Sequence, residues 1–118
     1  MNTRAKGGRT FRKAMTYAKA AYPKAYRMPI YQVSRWSQPQ PCDLILFELD
    51  SPPILVEVRT NQWGVSKPQT RTLAHLPGLV SKQIWMFPDG QTSPMIREWS
   101  EQVGTNGHWE RIETLPHT

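Results

Sequence analysis

The sequence contains one cysteine, Cys42, and no long apolar run. A single cysteine excludes a disulfide within the chain and a zinc site built on several cysteines. No apolar segment approaches the roughly 20 residues that cross a membrane as a helix. The N-terminal residues also lack the apolar segment of a secretory signal. We therefore expect a cytoplasmic protein without a membrane-spanning helix.

Acidic residues are absent before Asp43, although nine Lys and Arg residues precede it. The whole chain has a net charge of +6 and a pI near 9.8. Such a one-sided charge distribution is typical of a surface that contacts the phosphate backbone of nucleic acid, and a merely solubilising surface is the alternative. The residues predicted to contact DNA are Arg4, Lys6, Arg9, Arg12, Lys13, Ser34, Arg35, Trp36, Lys67 and Arg71.

The apolar pattern predicts one mixed α/β domain over residues 1–118, with residues 1–8 as a flexible basic arm before the first element. Apolar residues recur at helical spacing over residues 9–22, and Pro23 ends that pattern. A second helix is expected from a Ser66 cap to about Leu76. Strands are predicted at 28–33, 42–49, 54–60 and 79–87, and the extension 91–118 holds a strand or short helix at 95–99 and an edge strand at 108–114.

The strands at 42–49 and 54–60 are separated by turn residues and should form a hairpin in the middle of a covered sheet. A turn centred near Ser51-Pro52 places Asp43 opposite Arg59, with Glu57 one diagonal step away on the same face. Glu57 interrupts an apolar run, and a buried charge is costly unless it is paired or metal-bound. A structural ion pair between Asp43 and Arg59 is the simpler alternative.

Two carboxylates that share one face can bind a cation, and oxygen ligands without His or Cys nearby on that face fit Mg²⁺ or Mn²⁺ rather than Zn²⁺. The positive charge of Arg59 could hold a phosphate or orient an attacking water beside them. Asp43, Glu57 and Arg59 therefore predict phosphodiester hydrolysis.

Pro41-Cys42-Asp43, followed after thirteen residues by Glu57-Val58-Arg59, resembles the P-D...(D/E)-x-K signature of the PD-(D/E)XK nuclease superfamily. The predicted element order is similar to the restriction-endonuclease-like αβββαβ core of that family, a central mixed β-sheet flanked by helices. The small size, the basic N-terminal segment and Gln69 look most like archaeal and phage Holliday junction resolvases, which are homodimers that cut four-way DNA with Mg²⁺. The resemblance covers about residues 7–90.

The resemblance implies that Asp43 and Glu57 bind the metal, with the Val58 carbonyl as a third ligand, and that Arg59 and Gln69 complete the catalytic site. It further implies a homodimeric, Mg²⁺- or Mn²⁺-dependent endonuclease of DNA recombination. Two features depart from the family: the first predicted helix contains no acid, and arginine replaces the motif lysine. Arginine stays protonated and cannot accept a proton. A non-catalytic DNA-binding module on the same fold is therefore the main alternative, and a basic protein of RNA assemblies is a third.

Overall fold

The computed structural model describes residues 3–30, 42–101 and 107–112, with residues 3–7 described by their backbone alone. Within these ranges the chain forms two helices and six strands. They are α1 (Thr3–Ala21), β1 (Tyr26–Pro29), β2 (Leu44–Phe47), β3 (Ile54–Thr60), α2 (Pro68–Ala74), β4 (Ser81–Phe87), β5 (Met95–Ser100) and β6 (His108–Ile112). Neither described helix is long and apolar enough to cross a membrane.

The six strands form one mixed sheet in the order β1 to β6. Strands β3 and β4 are parallel, and the other neighbours are antiparallel. A mixed α/β fold is therefore confirmed, and the order of elements from α1 to β4 is the predicted one. The hairpin strands β2 and β3 lie inside the sheet, as their apolar composition indicates.

Helix α1 begins at Thr3, so the predicted flexible arm over residues 1–8 is wrong for its described part. Gly7 and Gly8 each disfavour a helix by about 1 kcal/mol relative to alanine, but their backbone can adopt helical angles. The Arg, Ala and Lys residues before them are good helix formers. The helix therefore continues through the glycines instead of beginning after them.

The main core lies between α1 and one face of the sheet. Ala14, Tyr17 and Ala18 of the helix are buried against this face. The rings of Tyr17 and Trp85 meet edge to face, with centroids 5.1 Å apart. Each large side chain fully buried here contributes about 1.5–3 kcal/mol. The sheet residues of this core are Leu44, Leu46, Val56, Trp85, Phe87 and Ile96.

Helix α2 lies on the opposite face, where Leu73 packs against Leu55 of β3. The predicted Ser66 cap is wrong, because the N-cap position is Lys67, with no side-chain capping bond. The Lys67 amide instead donates to the Gly64 carbonyl at 3.0 Å, which encloses Ser66 in a turn before the helix. Pro68 occupies the first turn, as predicted.

The end of α2 is held by a lysine from the sheet. Lys82 on β4 is buried, and its Nζ donates to the Ala74 carbonyl at 2.9 Å and to the Leu76 carbonyl at 2.5 Å. The last carbonyls of a helix lack partners within it and favour a nearby cation. Lys82 therefore caps the carbonyls at the end of α2 and ties this end to the sheet.

The chain after Gln91 adds two strands to the sheet. Of the two possibilities for 95–99, the strand is correct, since β5 pairs with β4. The predicted edge strand at 108–114 is confirmed over its described part, because β6 pairs with β5 at the end of the sheet. The first predicted strand, at 28–33, is instead β1 over Tyr26–Pro29, and residues 31–33 lie outside the described ranges.

Candidate active site

The hairpin of β2 and β3 has a different register from the predicted one. Leu44 pairs with Val56, and the Asp43 amide also donates to the Val56 carbonyl at 2.8 Å. Two consecutive residues thus share one partner, as in a β-bulge, and Asp43 does not lie opposite Arg59 as predicted. The turn differs from the predicted one: Asp50 has a left-handed φ of 64°, and the chain reverses there, before the Ser51-Pro52 position at which the prediction centred it.

Glu57 is the central acid of the site. Its side chain is 0% exposed, on a strand covered on both faces. One oxygen, Oε2, accepts hydrogen bonds from Arg59 Nε at 2.5 Å and from the Thr70 hydroxyl. The other, Oε1, is buried and has no hydrogen-bond partner among the described residues. A buried carboxylate oxygen without a partner is unfavourable, so Oε1 lacks the compensation that Oε2 receives.

Asp43 lies beside Glu57 at the end of the bulge. Its Oδ2 accepts a hydrogen bond from the Val58 amide at 2.8 Å, and the Gln69 side chain also hydrogen-bonds its carboxyl group. The amide and carbonyl of one strand residue point to the same side, so the Val58 carbonyl also faces the side of Asp43. The predicted metal-binding groups of Asp43, Glu57 and Val58 therefore lie together at one position in the sheet.

Both acids are less acidic than usual. Burial raises the pKa of Glu57, against the opposing effects of the Thr70 hydroxyl and the Arg59 charge, and Asp43 raises it further. Burial likewise raises the pKa of Asp43, against the Val58 amide, Arg59 and Gln69. Desolvation disfavours the charged form of each acid, and an added cation would favour it.

Arg59 lies between Glu57 and solvent, with 22% of its side chain exposed. Besides its bond to Glu57, its Nη2 donates to Thr70 Oγ1 at 3.0 Å. The following loop covers the guanidinium at Gly64, where a Cβ atom would lie only 3.0 Å from Arg59 Nε. Gly64 also has a φ of 62°, so glycine is favoured there both by conformation and by space.

Thr70 is the site residue that sequence reasoning missed. It is fully buried and contacts both Glu57 and Arg59. Its spacing to Leu73 and Ala74, the other buried residues of α2, is the i, i+3, i+4 pattern of a helix face. That pattern could have placed Thr70 toward the sheet, on the same face as the acids.

The residues predicted to contact DNA lie on both sides of the sheet. Lys67, at the N-cap of α2, and Arg71, within α2, are exposed on the face of the sheet that holds Glu57, whereas α1 carries its cations on the opposite face. The basic residues of α1 are Arg4 and Lys6, whose side chains are not described, and Arg9, Arg12 and Lys13, which are exposed or half-buried. Ser34, Arg35 and Trp36 lie outside the described residues.

The site fits a hard divalent cation better than zinc. In the described part of the chain, no group of three or more His, Cys, Asp and Glu side chains comes together. Mg²⁺ usually keeps several waters and binds to one or two carboxylates and the substrate phosphates. Asp43 and the unpartnered Oε1 of Glu57 are such a pair. The residues present therefore fit the predicted Mg²⁺ or Mn²⁺.

No family model, curated protein or solved structure matches the chain. The functional assignment therefore depends on the contacts and charges of the site. Those contacts bring together Asp43, Glu57, Arg59 and Gln69, the four residues predicted to be catalytic.

Proposed function

We propose that this protein is a Mg²⁺- or Mn²⁺-dependent endonuclease of the PD-(D/E)XK type, acting as a homodimer on branched DNA in the manner of Holliday junction resolvases. The observation that carries the proposal is the environment of Glu57. Its carboxylate is fully buried in a central strand, one oxygen is held by Arg59 and Thr70, and the other has no partner among the described residues. A structural role alone does not require an acid there, because an apolar side chain of similar size avoids the desolvation cost.

Asp43 and Glu57 would hold the ion, with the Val58 carbonyl as the third protein ligand. When bound, such an ion neutralises charge on a phosphate and lowers the pKa of water. Gln69 and the Val58 amide hold the Asp43 carboxyl group in place. Thr70 does the same for Glu57. The site is thus preorganised by neighbours that do not themselves react.

Arg59 supplies positive charge to the phosphate. A guanidinium has five N–H donors, of which Nε bonds to Glu57 and one on Nη2 bonds to Thr70. The others can donate to a phosphate oxygen, and such charge-assisted bonds are strong. Because arginine does not release its proton, Arg59 stabilises charge and orients the phosphate rather than acting as a general base.

The charge distribution supports DNA as the substrate. The net charge is +6, and both helices carry cations on their exposed faces. Such charge favours a polyanion, whose backbone phosphates release counterions on binding. A homodimer follows from the resemblance to resolvases, and two-fold symmetry suits a junction with two equivalent strands to cut.

A non-catalytic DNA-binding module is the second candidate, and one contact favours it. Arg59 Nε lies 2.5 Å from Glu57 Oε2, so the chain already places a cation against this acid. Helix α1 also has no acidic residue to add a further ligand. In this case Glu57 and Arg59 would form a buried structural ion pair, and DNA binding would not depend on metal.

Cleavage of labelled DNA distinguishes the candidates. Four-way junction, linear duplex, single strand and folded RNA are each incubated with Mg²⁺, Mn²⁺ or EDTA. We expect metal-dependent nicks in the junction that disappear in Glu57→Gln, while the matched variant Glu110→Gln on the exposed edge strand cuts normally. Cutting of every duplex would retain the nuclease without junction selectivity. Tight DNA binding without any cut would establish the module, and preference for folded RNA would exclude both.

A further inference from the structure

A basic cleft of about 280 Å³ lies between α1 and the connection from β4 to β5. Its lining residues are Arg9, Arg12, Lys13, Thr16 and Thr92. The four helix residues have the i, i+3, i+4, i+7 spacing of a single helix face. Three of the lining side chains are cationic, two are hydroxyl donors, and none is acidic or apolar. The lining cations and hydroxyls can therefore bind a small anion.

The size of the cleft limits the anion. The volume of the cleft is about 280 Å³. Sites for drug-sized ligands begin at about 300 Å³, so this space suits a phosphate group with part of its sugar. Arginine recognises phosphate through two parallel N–H bonds, and a threonine hydroxyl can donate a further one.

The cleft lies at the same end of the sheet as the candidate active site. The hydroxyl oxygens of Thr10 on α1 and Thr60 are 2.7 Å apart, and Thr60 is the last residue of β3. Strand β4 runs parallel to β3, so its end, followed by Thr92, lies at that same end. Helix α1 covers one face of the sheet and α2, with Thr70, covers the other. The two sites thus lie on either side of one sheet end.

We propose that the cleft binds a backbone phosphate of the DNA, distinct from the phosphate that is cut. The assignment of DNA as the ligand of this cleft rests on the proposed function. A nucleic acid that enters the carboxylate site has further phosphates along its backbone for the cleft to bind. One polymer that crosses the sheet end contacts both faces, with its reactive phosphate beside Arg59 and a second phosphate beside Arg9 and Arg12. The cleft thereby fixes the path along which the strand crosses the sheet end.

The salt dependence of DNA binding tests this subsite. Binding of labelled four-way junction is measured in EDTA at several salt concentrations, for the wild type and for Arg9→Gln/Arg12→Gln. Each lost phosphate contact reduces the magnitude of the negative slope of log K against log salt by about 0.9, so loss of the one proposed contact should reduce it by about 0.9. The matched double variant Lys19→Gln/Lys24→Gln removes the same charge from exposed positions outside the cleft. It should keep the wild-type slope, and equal decreases in both double variants would overturn the proposal.

Further arms separate this inference from the proposed function and identify the ligand. If the chain binds DNA with the arginine-dependent slope but never cuts it, the subsite stands and the nuclease fails. If it cuts DNA and both double variants behave alike, the nuclease stands and the subsite fails.

The ligand of the cleft is identified by thermal unfolding, in which inorganic phosphate is compared with chloride at equal ionic strength. One outcome is that phosphate stabilises the wild type but not Arg9→Gln/Arg12→Gln, while the salt dependence of DNA binding is the same in both proteins. That result would overturn DNA as the ligand. Tighter arginine-dependent binding of RNA would do the same.

Discussion

Replacing Thr70 with valine removes one hydroxyl from the carboxylate site and leaves its shape almost unchanged. The Thr70 hydroxyl donates to Glu57 Oε2 and accepts a bond of 3.0 Å from Arg59, in a fully buried position. A hydrogen bond to a charged group contributes about 1.5–3 kcal/mol, and a buried methyl in place of the hydroxyl returns somewhat under 1 kcal/mol. We expect the free energy of unfolding to fall by about 1–2 kcal/mol at pH 7 in EDTA.

The effect of this substitution should depend on pH. Glu57 has a raised pKa in the folded chain, so the folded state binds more protons than the unfolded state just above the ordinary glutamate range. Stability therefore falls as pH rises through that window. The Thr70 hydroxyl lowers the pKa of Glu57, and its loss raises that pKa further. The valine variant should consequently lose stability more steeply than the wild type as pH rises.

Urea unfolding, followed by tryptophan fluorescence to which the buried Trp85 contributes, measures both effects between pH 5 and pH 8. Thr70→Ser is the control, because it keeps the hydroxyl and loses only a methyl, which should lower stability by about 1 kcal/mol at every pH. A valine variant with the same pH dependence as the serine variant would refute the assigned role of the hydroxyl.

Three further predictions concern the surroundings of the site. Mg²⁺ should raise the melting temperature of the wild type in a dose-dependent way and leave Glu57→Gln unchanged; equal shifts in both would contradict binding by this acid. Left-handed strain at an alanine costs about 1–2 kcal/mol. Gly64→Ala should lower the unfolding free energy by more than this, because the new Cβ would also contact Arg59. Gly90→Ala is the control and should show the strain alone, because Gly90 has a φ of 80° and open space around it. Cys42 is 1% exposed, and burial raises the pKa of its thiol to about 12. A thiol reagent at pH 8 should therefore label only the urea-unfolded protein. Rapid labelling of the native chain would contradict this burial.

The order of elements was predictable because hydrophobic periodicity follows the burial of each face. Apolar residues on both faces of β3 and the apolar composition of β4 indicated covered strands, and both are inside the sheet. The choice of Glu57 also followed from local pattern, since an acid inside an apolar run predicts a buried charge, and Glu57 is buried. Such features depend on neighbours in sequence, which a single sequence displays.

The register and the supporting contacts were not predictable in this way. The register depends on the backbone angle of Asp50, and many Asp residues in turns do not adopt a left-handed conformation. Lys82, a charged residue, was not expected to be buried, because its partners are the carbonyls at the end of α2, which only the folded chain brings near. Pairings between distant segments therefore determine the details of the site, while the residues at its centre can be found from local pattern.

The parallel pairing of β3 and β4 explains why charge collects at one end of the sheet. In a parallel pair both strands end on the same side, and ligands of α/β sheets commonly bind there. The end of β3 positions Arg59 and leads into the loop before α2, with its cations Lys67 and Arg71. The end of β4 leads to Thr92, beside the basic face of α1. Cations from both faces thus lie at the end of the sheet that holds Asp43 and Glu57. In the proposed function, this positive charge would offset the repulsion between the two acids and a phosphate backbone.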